Sequence, residues 1–109
     1  MPYNEEIEVR VKKIVSKWKD TGDKKMFGGV CHLLKGNMFC GVYKEFLILR
    51  LGEENSRKAS KLPFVRPFDI TGRPMKGWVM LEKGGFKNHD NLRSWLNQAK
   101  EYVRALPKK

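Results

Sequence analysis

The sequence has few of the residues from which catalytic and metal sites are usually built. Its 109 residues include two cysteines, Cys31 and Cys40, and two histidines, His32 and His89. A structural zinc site needs four such ligands at characteristic spacings, and these four residues follow none of them. The glycine-rich loops that bind nucleotides and the motifs of hydrolases and metalloproteases are absent as well. The sequence therefore predicts a protein that is not an enzyme, with no catalytic residues, no metal site and no cofactor.

Long apolar runs are also missing. One of the longest covers residues 46–49, whereas a membrane-spanning helix needs about 20 predominantly apolar residues. Residues 1–6 lack the basic start and the apolar core of a secretory signal. We therefore expect a cytoplasmic protein that does not insert into a membrane.

Nothing in the sequence divides the chain into parts. It has no linker rich in Pro, Gly or Ser, no internal repeat and no low-complexity run. A chain of 109 residues that is 40% hydrophobic can bury one modest core but hardly two. We expect residues 1–109 to form a single domain.

Acidic residues are scarce relative to basic ones. The chain has 12 Asp and Glu against 23 Lys and Arg, which gives a formal net charge of +11. Such a charge is typical of proteins that bind nucleic acid, anionic lipid or an acidic partner. The basic excess is nevertheless spread along the chain, so a merely solvated basic surface explains it about as well.

The spacing of apolar residues predicts three helices. The first covers residues 5–19 and follows Asn4, a suitable N-cap. A short helix is predicted for residues 53–62, where Pro63 ends it. The last helix begins after Asn88 or Asp90 and carries the clearest apolar stripe of the chain: Leu92, Trp95, Leu96, Ala99, Val103 and Leu106.

The rest of the ordered chain has strand character. Residues 30–34 and 38–43 flank Gly36-Asn37 and are predicted to form a hairpin, and residues 46–51 add a third strand. Residues 64–68 and 77–82 form the last two, and Pro67 restricts the former to a short or edge strand. The order α-β-β-β-α-β-β-α indicates a two-layer α+β fold, with an antiparallel five-stranded sheet and helices mainly on one face.

The predicted hairpin has two consequences. A turn at Gly36-Asn37 places residue 31 opposite 42 and residue 33 opposite 40, so the two cysteines are diagonal neighbours and should remain reduced and buried. Both alternating sets of hairpin side chains include large apolar groups, so helices on one face leave apolar area on the other. We therefore expect a homodimer formed through the sheet.

Two groups of cations are candidates for binding an anion or a nucleic acid. Arg66, Arg73 and Lys76 lie in a loop that Pro67 and Pro74 stiffen. The other group occupies the outer face of the first helix and consists of Arg10, Lys13 and Lys17. The alternative is structural: Asp69 pairs with Arg66 or Arg73 to shape a turn, and the helix face is ordinary solvated surface.

Four segments together resemble the N-terminal domain of the TfoX (Sxy) family of bacterial competence regulators. They are residues 26–30 (Met-Phe-Gly-Gly-Val), the hairpin at Gly36-Asn37-Met38 with Gly41, residues 66–78 with Thr-Gly-Arg-Pro-Met, and residues 92–95. The resemblance runs in order over residues 20–107 and implies a secretion-chaperone-like fold and a non-enzymatic domain. Family regulators act with the cyclic-AMP receptor protein at competence promoters and carry a second, C-terminal domain, so this chain resembles a stand-alone copy of the first.

These observations lead to two expected functions. The first is a cytoplasmic regulatory module that engages a macromolecular partner, protein or nucleic acid, and acts on transcription through it. The second is a protein-interaction or chaperone-like homodimer that has no role with nucleic acid.

Overall fold

The chain forms an antiparallel sheet with three α-helices in a computed structural model that describes residues 3–26, 28–68 and 76–107. The helices are α1 (Glu5–Val15), α2 (Glu53–Ala59) and α3 (His89–Arg104). The strands are β1 (Thr21–Met26), β2 (Gly29–Leu34), β3 (Asn37–Tyr43), β4 (Phe46–Arg50), β5 (Val65–Pro67) and β6 (Trp78–Leu81). None of the helices in these residues combines the length and the apolar character that a membrane span requires.

Side-chain caps fix where the two long helices begin. Asn4 Oδ1 accepts hydrogen bonds from the backbone N–H groups of Glu6 and Ile7, and Asn88 Oδ1 does the same for Asp90 and Asn91. Both caps satisfy N–H groups that the helix itself leaves unpaired. The three predicted helices are confirmed, although α1 ends at Val15 and not at residue 19, and α2 ends at Ala59 and not at residue 62.

The sheet in the described residues has six strands, in the order β1-β2-β3-β4-β6-β5, and every neighbouring pair is antiparallel. The α+β class is confirmed, but the predicted count of five strands is wrong. The extra strand is β1, whose sequence Thr-Gly-Asp-Lys-Lys-Met lacks apolar alternation. It lies at the edge of the sheet, where polar side chains can remain in water, so its hydrogen bonds to β2 are sufficient to hold it.

The β2-β3 hairpin turns one residue earlier than predicted. Lys35 and Gly36 have φ values of 51° and 85°, and Leu34 pairs with Asn37. Positive φ at both turn residues matches the tight hairpin turns that follow the twist of the strands. The predicted turn at 36–37 is therefore wrong, and so are the pairings derived from it.

A register shift further along the hairpin places the cysteines. It lies between His32 and Leu33, and beyond it His32 pairs with Cys40 and Cys31 with Gly41. The shift lets the consecutive residues Phe39 and Cys40 both be fully buried. Both cysteines are buried and unbonded, as predicted.

The two faces of the sheet are covered differently. The helix-covered face meets all three helices in one core, whose completely buried members include Phe39, Leu47, Leu49, Leu81, Leu92 and Leu96. The other face, called the open face below, buries Ile48, Phe68 and Met80 and leaves four large side chains partly exposed: Met38, Tyr43, Phe46 and Trp78. Apolar side chains on both faces are confirmed, and Phe68 covers part of the open face by packing against Trp78.

Candidate functional site

A groove of about 560 Å³ runs between α1 and α3. It is lined from one side by α1 and the turn after it and from the other side by α3. The lining residues are Lys13, Ile14, Lys17, Trp18, His89, Arg93 and Asn97.

The lining side chains form two facing rows. On α3, His89, Arg93 and Asn97 are four residues apart in succession, and residues four apart lie on the same side of a helix, one turn above the other. Lys13 lies on α1, whereas Lys17 belongs to the turn that follows the end of that helix at Val15. The apolar stripe of each helix faces the sheet, so these polar rows flank the groove on its outer side.

Trp18 forms part of the floor of the groove. Its ring packs against Phe39, with 5.6 Å between the ring centroids, and is half-buried against the core. Lys100 Nζ lies 4.5 Å from the centroid of the same ring, within the range of a cation-π interaction. Lys100 therefore adds a further positive charge beside the groove, held in place by the indole.

Among the described residues, the cations of the groove have no acidic partner. Lys13, Lys17, Arg93 and Lys100 form none of the ion pairs found among the described residues. Within the described part of the chain no ion pair compensates their charges, which leaves solvent and dissolved ions. An anionic ligand can replace these without breaking an internal salt bridge.

Arg10, the remaining candidate of the first helix, has a different environment. Its Nη2 donates hydrogen bonds to the carbonyl oxygens of Phe86 (2.8 Å) and Lys87 (3.2 Å). The guanidinium carbon also lies 5.9 Å from the centroid of the Phe86 ring. Arg10 thus connects α1 to the segment that leads into α3, and it does not line the groove.

The loop candidates lie elsewhere. Arg66 is on β5 opposite Met80, which belongs to the open face, and its Nε donates to Glu82 Oε2 at 2.8 Å. Lys76 Nζ lies 3.8 Å from Glu53 Oε1. Arg73 and Asp69 are outside the described residues. Arg66 and Lys76 therefore each have an acidic partner among the described residues, unlike Lys13 and Lys17.

Sequence reasoning missed the α3 side of the groove. Neither Arg93 nor Lys100 is among the cations predicted to bind an anion. The spacing of Arg93 and Lys100 on the last helix could be read from the sequence, but the packing of α1 beside α3 could not. A groove between two helices depends on how both pack on the sheet, and the sequence of either helix alone does not show it.

A second polar cluster joins α1, β1 and β2. His32 Nε2 lies 2.7 Å from Glu8 Oε1, and Asp23 is the direct cross-strand partner of His32. One ligand atom from each of the three side chains lies within 4.8 Å of the others. Lys12 Nζ is 3.6 Å from Asp23 Oδ2. The sequence did not indicate this cluster, because Asp23 belongs to the strand that was not predicted.

A further open cleft, of about 690 Å³, lies between α2 and α3. Acidic, basic and amide side chains are mixed along its walls: Asn55, Asp90, Arg93, Ser94, Asn97, Gln98, Glu101 and Tyr102. Its charges do not share one sign, so it offers less attraction to an anion than the groove between α1 and α3.

Comparison with known proteins gives one match. The family described as the TfoX N-terminal domain matches residues 13–102, which run from the second half of α1 to near the end of α3. No curated protein and no solved structure matches the chain. The family match supports a regulatory type of module at the level of the family. The secretion-chaperone-like fold that the resemblance implied stays a prediction. Because the match covers most of the sequence, the chain belongs to the TfoX N-terminal domain family.

Proposed function

We propose that this chain is a non-enzymatic regulatory module of the cytoplasm that binds nucleic acid through the groove between α1 and α3. The observation that carries the proposal is the pair of facing rows that bring Lys13, Lys17 and Arg93 together without an acidic partner among the described residues.

The chemistry of these groups suits a phosphate backbone. Lysine offers a mobile point charge, and the planar guanidinium of Arg93 can donate two parallel hydrogen bonds to one phosphate. All three side chains belong to exposed residues, so they lose little hydration when they meet a ligand. Release of the counterions that surround nucleic acid supplies the driving force.

The groove favours phosphate contacts over base contacts. Trp18 is the aromatic side chain that lines it, and that ring is already engaged by Phe39 and Lys100. A stacking platform needs a free aromatic face. Phosphate contacts position a protein on nucleic acid but carry no sequence information. In this proposal a macromolecular partner supplies the sequence recognition through which the module acts on transcription.

Fluorescence anisotropy with labelled double-stranded DNA and with single-stranded RNA tests the proposal. At about 50 mM salt the wild type should bind, and log affinity should fall linearly with log salt. The triple variant K13Q/K17Q/R93Q should bind at least about 10-fold more weakly, and its salt slope should be smaller by up to about 3, or about 1 for each lost contact.

A matched control removes the same charge from another helix. Arg57, Lys58 and Lys61 are exposed residues on or just after α2 and do not line the groove. R57Q/K58Q/K61Q should therefore reduce affinity much less than the groove variant. Equal effects of the two variants would show that only net charge matters, and absence of binding by the wild type would refute the proposal.

The loop predicted from the sequence needs its own variant. R66A/R73A/K76A changes the three loop candidates and leaves the groove intact. Because Arg66 and Lys76 have acidic partners, this variant should bind nearly as well as the R57Q/K58Q/K61Q control. A loss larger than that of K13Q/K17Q/R93Q would move the binding site to the loop.

The open face supports the second candidate function, a homodimer formed through the sheet. The observation that favours it is the partial exposure of Met38, Tyr43, Phe46 and Trp78 around one small buried cluster. Sedimentation at increasing concentration should then show a dimer that the F46E variant dissociates. A wild type that stays monomeric at high micromolar concentration would exclude this function.

A further inference from the structure

The cluster of Glu8, Asp23 and His32 has the composition of a metal site. It combines one imidazole nitrogen with two carboxylates, and each side chain comes from a different element: α1, β1 and β2. Asp23 and His32 are fixed relative to each other by the β1-β2 register, and α1 brings Glu8 above them.

The three side chains of the cluster are buried to different extents. The side chain of His32 is 3% exposed, that of Glu8 13% and that of Asp23 45%. Glu8 and Asp23 also line a cleft of about 360 Å³ that leads to the surface. An ion could therefore enter from the cleft, bind the imidazole on its inner side and keep water on its outer side.

We propose that Glu8, Asp23 and His32 bind a divalent transition-metal ion, with Zn²⁺ as the best fit. Zinc accepts His nitrogen and carboxylate oxygen at about 2.0–2.2 Å, and three protein ligands plus water are common for it. Two ligand atoms of one ion then lie at most about 4 Å apart. The three atoms already lie within 4.8 Å of one another, so side-chain rotation closes the site.

The ligand set also selects against other cations. Mg²⁺ and Ca²⁺ prefer oxygen ligands throughout, and an imidazole is a poor ligand for them. Binding of Zn²⁺ would replace the hydrogen bond between His32 Nε2 and Glu8 Oε1 and release any proton shared there.

Lys12 competes with the ion for Asp23. Its ammonium group lies 3.6 Å from Asp23 Oδ2, one helical turn beyond Glu8. The ion must displace this group or share the carboxylate with it. Removing the charge at position 12 should therefore tighten metal binding, while the same change at Lys13, which lines the groove on another side of α1, should not.

Isothermal titration of the metal-stripped full chain with ZnCl₂ tests the proposal. One ion should bind per chain, and E8Q and D23N should each weaken binding at least about 10-fold. Both variants keep the size of the side chain, and circular dichroism checks that they are folded. E5Q is the matched control, because Glu5 lines the same cleft outside the cluster. K12M should bind several-fold more tightly than wild type, and K13M should bind like wild type.

Cobalt(II) provides a readout that identifies the ligands. The Co²⁺-loaded protein should show visible absorption without a thiolate charge-transfer band, because Cys31 and Cys40 take no part. Mg²⁺ in excess should not displace the ion. The proposal is overturned by absence of Zn²⁺ binding up to millimolar metal, by E8Q and D23N variants that bind like wild type, or by a thiolate band. None of these readouts depends on nucleic-acid binding.

Discussion

The helix-covered face and the open face of the sheet both carry large apolar side chains, but they differ in how completely these are removed from water. Along β4, Leu47 and Leu49 point to the helices and are fully buried, whereas Phe46 points to the open face and is half-buried. In the groove on the helix side, Lys13, Lys17 and Arg93 form none of the ion pairs of the described residues, whereas Arg66 beside the open face is paired with Glu82.

The difference shows that alternating side chains along a strand define the two faces of the sheet but do not decide what each face does. The helices stabilise the fold through one face and present charged rows to the solvent behind it. The open face adds a small cluster and leaves apolar surface available. Stability and binding should therefore respond to substitutions on different sides of the sheet.

The largest expected effect compares the two faces within β4. Leu49→Ala leaves a cavity in the main core and should lower the free energy of unfolding by about 2–5 kcal/mol. Phe46→Ala removes a half-buried ring and should cost about 1 kcal/mol. Urea unfolding of both variants measures the difference. A cost for Phe46→Ala that equals that of Leu49→Ala and grows with protein concentration would mean that the open face is covered in solution.

The next effect concerns strand glycines. A Cβ on Gly29 would clash with the backbone oxygen of Val42, whereas one on Gly22 would meet nothing within 4 Å. Gly29→Ala must push β2 from β3 and should cost about 1–3 kcal/mol. Gly22→Ala on β1 should change the free energy of unfolding by at most about 0.5 kcal/mol. Similar costs at the two sites would contradict the close approach at Gly29.

Much of this fold could be predicted from the sequence. Asn4, Asn88 and the apolar stripes located α1 and α3, and Pro67 correctly marked an edge strand. β1 could not be found, because its side chains are polar and its stability comes from hydrogen bonds to a neighbouring strand. The one-residue error at Gly36 arose because Lys35 adopts positive φ, which a lysine seldom does.

The candidate sites were less predictable than the fold. Lys13 and Lys17 were identified from their helix face, but Arg93 joins them only through the packing of α3 beside α1. Glu8 and His32 meet across 24 positions of sequence. Contacts of this kind depend on how elements pack, and no spacing along the chain encodes them.

The pH dependence of the free energy of unfolding should distinguish the two cysteines. Burial raises the pKa of both thiols, and it raises the pKa of Cys40, on the helix-covered face, well above 9.0. Above that pH the unfolded chain loses thiol protons that the folded chain keeps, so the free energy of unfolding should fall. Cys40→Ala should remove more of this fall than Cys31→Ala, measured by urea unfolding at neutral and alkaline pH. Rapid labelling of both thiols in the folded protein would contradict their burial.

The smallest effect is expected at the exposed ion pair beside the open face. Arg66→Ala breaks its contact with Glu82, but both side chains are largely in water. Such pairs contribute about 0.2–1 kcal/mol, and salt screens them. Thermal unfolding of R66A, E82Q and the double variant gives the coupling energy. A coupling well above 1 kcal/mol would mean that the pair anchors the edge of the sheet.

The strand order has a consequence for aggregation. The two ends of the sheet are β1 and β5, the positions at which a strand from another molecule could add. β1 carries Asp23, Lys24 and Lys25, and β5 has three residues that end in Pro67, which has no N–H group to donate. Charge on one edge and a short, proline-ended strand on the other are features by which natural sheets resist edge-to-edge polymerisation. Contacts with other molecules should therefore form on the faces of the sheet and on the helices.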